Sequence, residues 1–524
     1  MAQVGGKRLV VLGGGLAGLS FVHYLRNFSA FFKKESSISK ITLLEANDYM
    51  GGSIKSCRYE DGVIHELGPR SVRLAGFKGH NTATLLEQLG LKDRVLSITQ
   101  DSAAGRNRYI YDNERLYRIP SSISQIFSRL PNSNQTLGAA LFRDFFKAPK
   151  MNLDEVPDRD PTIYDFIKHR FGEEMAAKVS DPVMRGITAG DARKLSTRAI
   201  IGDFLDKEQI YGSVIKGVYK PPVTKSFHDE LFPNDLNDSR LLNRFQRTKV
   251  LSYNLSTGLQ TLPEHLTNSL LNTNQDGLIS IFNQTKAVSL QFNQPNDPEL
   301  APCDIEVETV DGDRMNLPAD YVISSIPSKD FAKILPPSMP DYQREALKDI
   351  VNVPHAPVGC VSVEYRGIKG KLPNIVNSFG FLTNSKSSSR VLGISFDTTM
   401  FPQIDEPNKS TRFTCMIGGS WFKEVLGTDN LDQVTNAQLE QIALEEIRKI
   451  LKINLEPHRV STLLWKTGIA QYLPGHTERL ENTRKKLKEL QLPLILIGQS
   501  YDGIAVNDVV FAARLSAYNL IKSL

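Results

Sequence analysis

The sequence predicts an α/β fold that is built around one domain assembled from distant parts of the chain. A short apolar run at residues 7–12 leads directly into a glycine-rich turn and then into a helix-like pattern. A second apolar run followed by glycine lies at residues 492–498. The long region between them contains both helix-like and strand-like patterns, so we expect it to supply insertions into this split domain.

Composition agrees with a folded chain. The 524 residues are 40% hydrophobic and 23% charged, and 63 Lys and Arg against 58 Asp and Glu leave a net charge of +5. This small excess is weak evidence for nucleic-acid binding, and we expect no nucleic-acid partner. At about 150 residues per domain, the length corresponds to roughly three domains.

Cysteine and histidine spacing predicts neither a disulfide framework nor a metal site. The cysteines show no CxxC pair and the nine histidines no HxxxH pattern. No apolar run reaches 18 residues, so we expect no membrane-spanning helix. The first eight residues are too short for a cleavable signal, and we expect none.

The first element is a strand at Lys7–Leu12, followed by the turn Gly13-Gly14-Gly15-Leu16-Ala17-Gly18 and a helix from Leu19. A strand, a GxGxxG turn and a helix in this order form the fingerprint of Rossmann-type dinucleotide binding. Gly13 permits the tight turn, Gly15 lets a pyrophosphate approach the backbone, and Gly18 lets the helix pack on the strand. All six turn residues are therefore candidate cofactor contacts.

The second strand, Ile41–Leu44, ends at Glu45. A carboxylate at this place accepts hydrogen bonds from ribose hydroxyls. The pair Gly51-Gly52 follows, and we expect a second loop to lie against the cofactor there.

The stretch from Glu45 to Arg70 resembles the superfamily of flavin-dependent amine oxidases and protoporphyrinogen oxidases. The resemblance consists of the glutamate, the Gly51-Gly52 pair and the later Gly68-Pro69 turn. It implies FAD rather than NAD. The further cofactor contacts that it implies are Ala46, Gly52, Ser53, Gly68, Pro69, Arg70 and Ser71. For Arg70, bracing of the loop is an equally good explanation.

Near residue 500, a strand at Leu492–Ile497 and Gly498 lead through a polar loop into a helix that starts close to Val506. The positive end of this helix can stabilise negative charge on a reduced flavin. A strand–helix packing unit without a ligand is the alternative. The resemblance assigns Ile504, Ala505 and Val506 to the cofactor.

Further blocks resemble the protoporphyrinogen oxidase branch of the superfamily. They are residues 107–111, 181–196, 391–397, 416–421 and 501–508, and the matches together extend from residue 9 to residue 515. The resemblance implies oxidation of protoporphyrinogen IX to protoporphyrin IX, the penultimate step of heme biosynthesis. Flavin N5 would take hydride, and O2 would reoxidise the flavin with production of H2O2. We identify no catalytic side chain.

Two substrate contacts follow from the same resemblance. Arg108 is the candidate clamp for a substrate propionate, because a guanidinium matches a carboxylate in a bidentate fork. A surface arginine on an edge strand is the alternative. Gly186 is expected to present its backbone to the macrocycle, and a helix-ending glycine is its alternative.

The expected division is FAD-binding segments at 1–95, 245–304 and 456–524, a helical insertion at 96–225 and a mixed α+β substrate domain at 305–455. The aromatic and basic pattern of Leu137–Phe146 fits a core-facing helix and a membrane-interface helix equally well. The resemblance favours the membrane, and for a eukaryotic source the inner mitochondrial membrane, with peripheral attachment. It also implies a homodimer and transfer of product to ferrochelatase.

Two alternatives to this function stay open. One is another flavin oxidase or desaturase of the same fold, acting on an amine or a polyene. The other is a membrane-associated binding protein that has lost its flavin. Tyr49 and Ser53 favour the second slightly, because many relatives have arginine and tryptophan at these places.

Overall fold

The computed structural model describes residues 6–120, 125–220, 239–274, 276–293, 300–368, 372–405 and 409–524. Its strands are β1 (Lys7–Leu12), β2 (Ile38–Leu44), β3 (Ser56–Arg58), β4 (Ile64–Glu66), β5 (Val72–Arg73), β6 (Val95–Thr99), β7 (Tyr109–Asp112), β8 (Arg115–Arg118), β9 (Val250–Leu255), β10 (Ile279–Phe282), β11 (Thr285–Phe292), β12 (Cys303–Thr309), β13 (Arg314–Ala319), β14 (Tyr321–Ser324), β15 (His355–Arg366), β16 (Gly380–Thr383), β17 (Val391–Phe396), β18 (Ser410–Gly418), β19 (Arg459–Ala470) and β20 (Leu494–Leu496).

The α-helices in the same ranges are α1 (Leu16–Phe31), α2 (Gly76–Gln88), α3 (Ala103–Arg106), α4 (Leu137–Phe142), α5 (Ile163–Phe171), α6 (Glu173–Met175), α7 (Asp181–Thr188), α8 (Thr197–Tyr211), α9 (Val214–Val218), α10 (Arg240–Arg247), α11 (Thr261–Asn272), α12 (Ser328–Lys333), α13 (Asp341–Leu347), α14 (Asp397–Met400), α15 (Pro402–Asp405), α16 (Phe422–Leu426), α17 (Asn436–Glu446), α18 (His476–Glu489) and α19 (Val506–Ser523). Wider π-helical turns continue α4 through Lys147 and α17 through Leu451.

A five-stranded parallel sheet forms the nucleotide-binding domain, with strand order β10-β2-β1-β14-β20. The apolar run at 9–12 is buried in β1, as expected for a strand covered on both faces. Leu19 and Val22 of α1 share one apolar core with Ala513 and Ala517 of α19. The prediction that the two distant parts of the chain build one α/β domain is therefore confirmed.

The turn between β1 and α1 depends on its glycines. Gly13 has a φ of +100°, which side-chain-bearing residues rarely adopt. A Cβ atom on Gly18 would lie 2.2 Å from the carbonyl oxygen of Gly13. Helix α1 therefore lies as close to β1 as the fingerprint predicts.

A seven-stranded sheet, β19-β15-β18-β17-β16-β7-β8, forms a second layer that packs on α17. Its strands come from more than one of the expected segments of the chain. Strands β7 and β8 fall within 96–225, where they pair with each other, and β7 also pairs with β16. The expectation that this segment is helical is therefore wrong for its first part. Likewise β14 pairs with β1, and β19 pairs with β15. The domain boundaries stay a prediction, and the one at 225 lies outside the described residues.

Helices α4, α5, α7, α8 and α9 form a separate helical body with its own apolar core. Inside it, the fully buried guanidinium of Arg170 contacts the carboxylates of Asp144 at 2.7 Å and Glu208 at 3.2 Å. Within the described ranges, none of the helices has the length and apolar character needed to cross a bilayer.

Candidate functional site

One cavity of about 510 Å³ lies at the carboxyl ends of β1, β2 and β14. This is the edge of a parallel sheet at which α/β proteins bind ligands. Predicted cofactor residues from four separate segments line it. They are Gly13, Gly15, Leu16, Ala17, Glu45, Ala46, Gly52, Ser53, Pro69, Ile504 and Val506.

Two glycines that line this cavity, Gly15 and Gly52, lie against each other. A Cβ atom on Gly52, whose φ is +60°, would lie 3.2 Å from the Cα atom of Gly15. A Cβ atom on Gly15 would meet nothing closer than Gly52, at 3.8 Å. Helix α1 starts at Leu16, so its first N–H groups lie beside the same cleft. Bare backbone on both sides and a helix N-terminus suit a dinucleotide pyrophosphate.

Glu45 is held at the end of β2 by backbone and side-chain donors. Its Oε2 atom accepts from the N–H of Gly14 at 2.8 Å. Its Oε1 atom accepts from the N–H and the Nδ2 of Asn47, at 2.9 and 2.6 Å. A carboxylate has about four acceptor sites, so Glu45 keeps capacity for a ribose hydroxyl.

The turn at residues 67–70 is fixed from both sides. Buried Glu66 accepts from Ser56 at 2.6 Å and from the N–H of Leu259 at 2.8 Å, and burial raises the pKa of its carboxyl. A Cβ atom on Gly68 would lie 2.1 Å from the carbonyl oxygen of Ser53. The close packing of the two loops therefore explains Gly68, which does not line the cavity itself.

The side chain of Arg70 contacts the seven-stranded sheet and is not among the residues that line the cavity. Its guanidinium lies 3.3 Å from Ser395 Oγ and 3.6 Å from Cys360 Sγ. Its Nε atom is buried and has no hydrogen-bond partner among the described residues. Arg70 therefore joins the turn to β15 and β17, which fits a brace, and Ser71 follows it just before β5. A direct cofactor contact by either residue stays a prediction.

The N-terminus of α19 also contributes to the lining of the cavity. Ile504, Val506 and Val509 line the cavity there, and Ala505 is the N-cap residue. Asp508, in the first turn, forms an ion pair with Lys78 at 2.7 Å. The helix end that we predicted from residues 499–508 thus adjoins the cavity.

The two predicted substrate residues lie outside this lining. The Arg108 guanidinium is 5.5 Å from the centre of the Phe379 ring, and burial together with the charge of Arg73 lowers its pKa. A Cβ atom on Gly186 would lie 2.1 Å from Leu382 Cδ2. Close packing accounts for this glycine, and α7 ends only at Thr188. Substrate contact by Arg108 and Gly186 stays a prediction.

Several lining residues were missed by the sequence reasoning. They are Lys286 and Val288 of β11, Ser325 and Lys333 beside β14, and Trp465 and Thr467 of β19. The apolar strand at 321–324, followed by a serine and a proline, could have indicated part of this group. Trp465, whose Nε1 donates to the carbonyl oxygen of Leu67 at 2.5 Å, has no such local signal.

One group of acidic and histidine side chains has metal-like spacing. Oxygen and nitrogen atoms of Asp61, Glu364 and His458 lie within 4.8 Å of one another. Arg459 forms ion pairs with both carboxylates, at 2.9 and 3.3 Å, and Arg366 lies beside them as well. These guanidiniums already neutralise the acids, so the group is better explained as an ion-pair network than as a cation site.

Comparison with known proteins gives a consistent picture. A family described as flavin containing amine oxidoreductase matches residues 16–521. A protoporphyrinogen oxidase of Bos taurus is 31% identical over 523 residues, which cover 98% of each chain. A coproporphyrinogen III oxidase of Bacillus subtilis is 25% identical over 97% of this chain and 96% of its own. The crystal structure of a protein from Exiguobacterium sp. 255-15 has a TM-score of 0.73, with 22% identity and 99% of both chains covered.

Proposed function

Because this chain belongs to the family of flavin-containing amine oxidoreductases and is an FAD-dependent oxidoreductase, we propose that it oxidises protoporphyrinogen IX to protoporphyrin IX. The observation that carries this proposal is the match to the Bos taurus protoporphyrinogen oxidase, which covers 98% of both chains. The proposed reaction is the penultimate step of heme biosynthesis.

The reaction must remove six hydrogens from the macrocycle. With O2 as the acceptor, each pair of hydrogens converts one O2 to one H2O2, so three O2 are consumed per porphyrin. When bound, FAD supplies the hydride acceptor for a ring carbon of the substrate. The contribution of the protein is to bind both molecules, orient them and exclude water.

The cavity supports a specific arrangement of FAD. We assign the pyrophosphate to the part of the cavity that is lined by Gly15 and Gly52, where neither residue has a side chain to occupy the space. Glu45 would accept from the ribose hydroxyls, and the N-terminus of α19 would face the ring system of the flavin. Arg108 would bind a propionate of the substrate.

Anaerobic mixing of the purified protein with protoporphyrinogen IX tests the proposal. We expect the flavin absorbance to bleach, and to return after O2 is admitted with three H2O2 per porphyrin. Coproporphyrinogen III and a polyamine serve as comparison substrates. Faster bleaching by either would move the assignment to that substrate, and a preparation without flavin would favour the binding-protein alternative.

We also propose that the helical body contacts a membrane surface. The side chains of Phe127 and Phe146 are 87% and 68% exposed, and the Lys147 and Lys216 ammonium groups lie 5.5 and 5.0 Å from the rings of Phe142 and Phe145. Exposed aromatic rings next to lysines suit an anionic lipid interface. For a eukaryotic source, peripheral attachment to the inner mitochondrial membrane, a homodimer and transfer of product to a ferrochelatase belong to the same proposal.

Cosedimentation with anionic vesicles tests the membrane contact. Phe146→Ser should weaken binding, because it removes an exposed aromatic side chain from the interface. Phe31→Ser is the matched control, since Phe31 is 78% exposed but lies on α1. Equal binding by Phe146→Ser and the unchanged protein would remove this surface from the proposal.

A further inference from the structure

The charges near the two glycine loops affect how strongly a pyrophosphate would be held there. The basic side chains among the described lining residues are Lys286 and Lys333, which belong to β11 and α12 and not to the loops. Negative groups lie close to the loops. Burial, followed by the charges of Glu45 and Asp48, raises the pKa of the Tyr49 phenol. A cation beside the loops would offset that field for a pyrophosphate bound there.

Lys55 is the cation beside these loops. Its Nζ atom lies 3.7 Å from the centre of the Tyr49 ring, a close cation–π contact. Among the described residues, no carboxylate forms an ion pair with Lys55. Its charge is therefore available to a ligand.

Tyr49 connects this cation to the cleft. The residue lines the cavity, and its hydroxyl donates to the carbonyl oxygen of Gly52 at 3.2 Å. Gly52 in turn lies against Gly15 in the lining of the cavity. The ring is thus held with its edge at the glycine loop and its face against the ammonium group.

We propose that Lys55, held on the ring of Tyr49, is the cation that attracts the FAD pyrophosphate to the two glycine loops. The role is electrostatic and needs no direct hydrogen bond, because unit charges act over about 8 Å at physiological ionic strength. The proposal rests on the FAD cofactor and is independent of the identity of the substrate.

Titration of the flavin-free full-length protein with FAD tests the proposal. Lys55→Met should raise the Kd for FAD roughly three- to fivefold, as expected for a partly exposed charge pair. ADP carries the same pyrophosphate and should show the same loss, whereas riboflavin, which lacks it, should bind as before. Lys40→Met, at an exposed lysine on β2, is the matched control.

Three further variants keep the test decisive. Lys55→Arg retains the charge and should keep the Kd of the unchanged protein. Tyr49→Leu should weaken FAD binding as much as Lys55→Met. The double variant should bind FAD only a little more weakly than either single variant, because both changes disrupt the same cation–π pair. An unchanged Kd for FAD and ADP in Lys55→Met would overturn the proposal. An equal loss for riboflavin would also overturn it, since the effect would then not involve the pyrophosphate.

Discussion

Gly15 and Gly18 belong to one turn, but the space around their missing side chains differs. At Gly15 a side chain would enter the cavity, whereas at Gly18 it would meet the carbonyl oxygen of Gly13 at 2.2 Å. Gly15→Val should therefore fold and lose FAD, because the valine occupies the approach of the pyrophosphate. Gly18→Val should instead lose about 3 kcal/mol of stability by overpacking. Flavin absorbance per protein and Tm separate the two effects. Stoichiometric flavin in Gly15→Val would show that the cofactor lies elsewhere.

Arg108 offers a second test at single residues. Its guanidinium forms no ion pair among the described residues, and Arg73 is its cationic neighbour. If it binds a substrate propionate, Arg108→Ala should raise KM about tenfold with little loss of FAD, since a charge-assisted hydrogen bond disappears. Arg115→Ala, at an exposed arginine on the same hairpin, should leave KM unchanged. An unchanged KM in Arg108→Ala would exclude Arg108 from the substrate site.

Among the helices, the buried Arg170 network sets the stability of the helical body. Arg170 donates to Asp144 and Glu208, and all three side chains are fully buried. Arg170→Met should cost about 3–5 kcal/mol, a Tm decrease of roughly 3–5 °C in a chain of this size, because two buried carboxylates lose their partner. Arg159→Met, which breaks the exposed pair with Asp154, is the control. A Tm equal to that of the control would contradict this reasoning.

The elements that could be predicted from the sequence are those whose signals are local. The strand, turn and helix at residues 7–31 show their apolar pattern and their glycines within a few residues. The helix that follows Thr435 has a capping box in its first turn, formed by Thr435 and Gln438. The position of β14 could not be predicted, because its pairing of Ile323 with Val11 joins residues more than 300 positions apart. The position of Trp465 in the site could not be predicted for the same reason.

Acid should destabilise the whole molecule through its buried histidines. Burial lowers the pKa of His23 and His476 to about 4 and of His65 to about 3, from an ordinary value near 6.5. The unfolded chain therefore binds protons first, so stability is full above about pH 6.5 and falls as the pH drops toward about 4.

His476 lies beside the loop that leads into α19, because its Nε2 is 3.1 Å from the carbonyl oxygen of Tyr501. In His476→Gln, the Tm should fall less steeply between about pH 6.5 and pH 4 than it does in the unchanged protein. His458→Gln, at an exposed histidine, should follow the unchanged protein. If the Tm of His476→Gln falls with pH as steeply as that of His458→Gln, the acid sensitivity belongs to other groups.

The order of strands in the nucleotide sheet has a consequence for protein synthesis. The ribosome makes β1 first, but its neighbour β14 follows after 308 further residues, and β20 and α19 come later still. A nascent chain therefore exposes the glycine turn long before α19, which completes the cavity lining, exists. The complete cavity lining, which includes Val506 and Val509, forms only after α19 has left the exit tunnel and packed on α1, so we expect tight FAD binding only then.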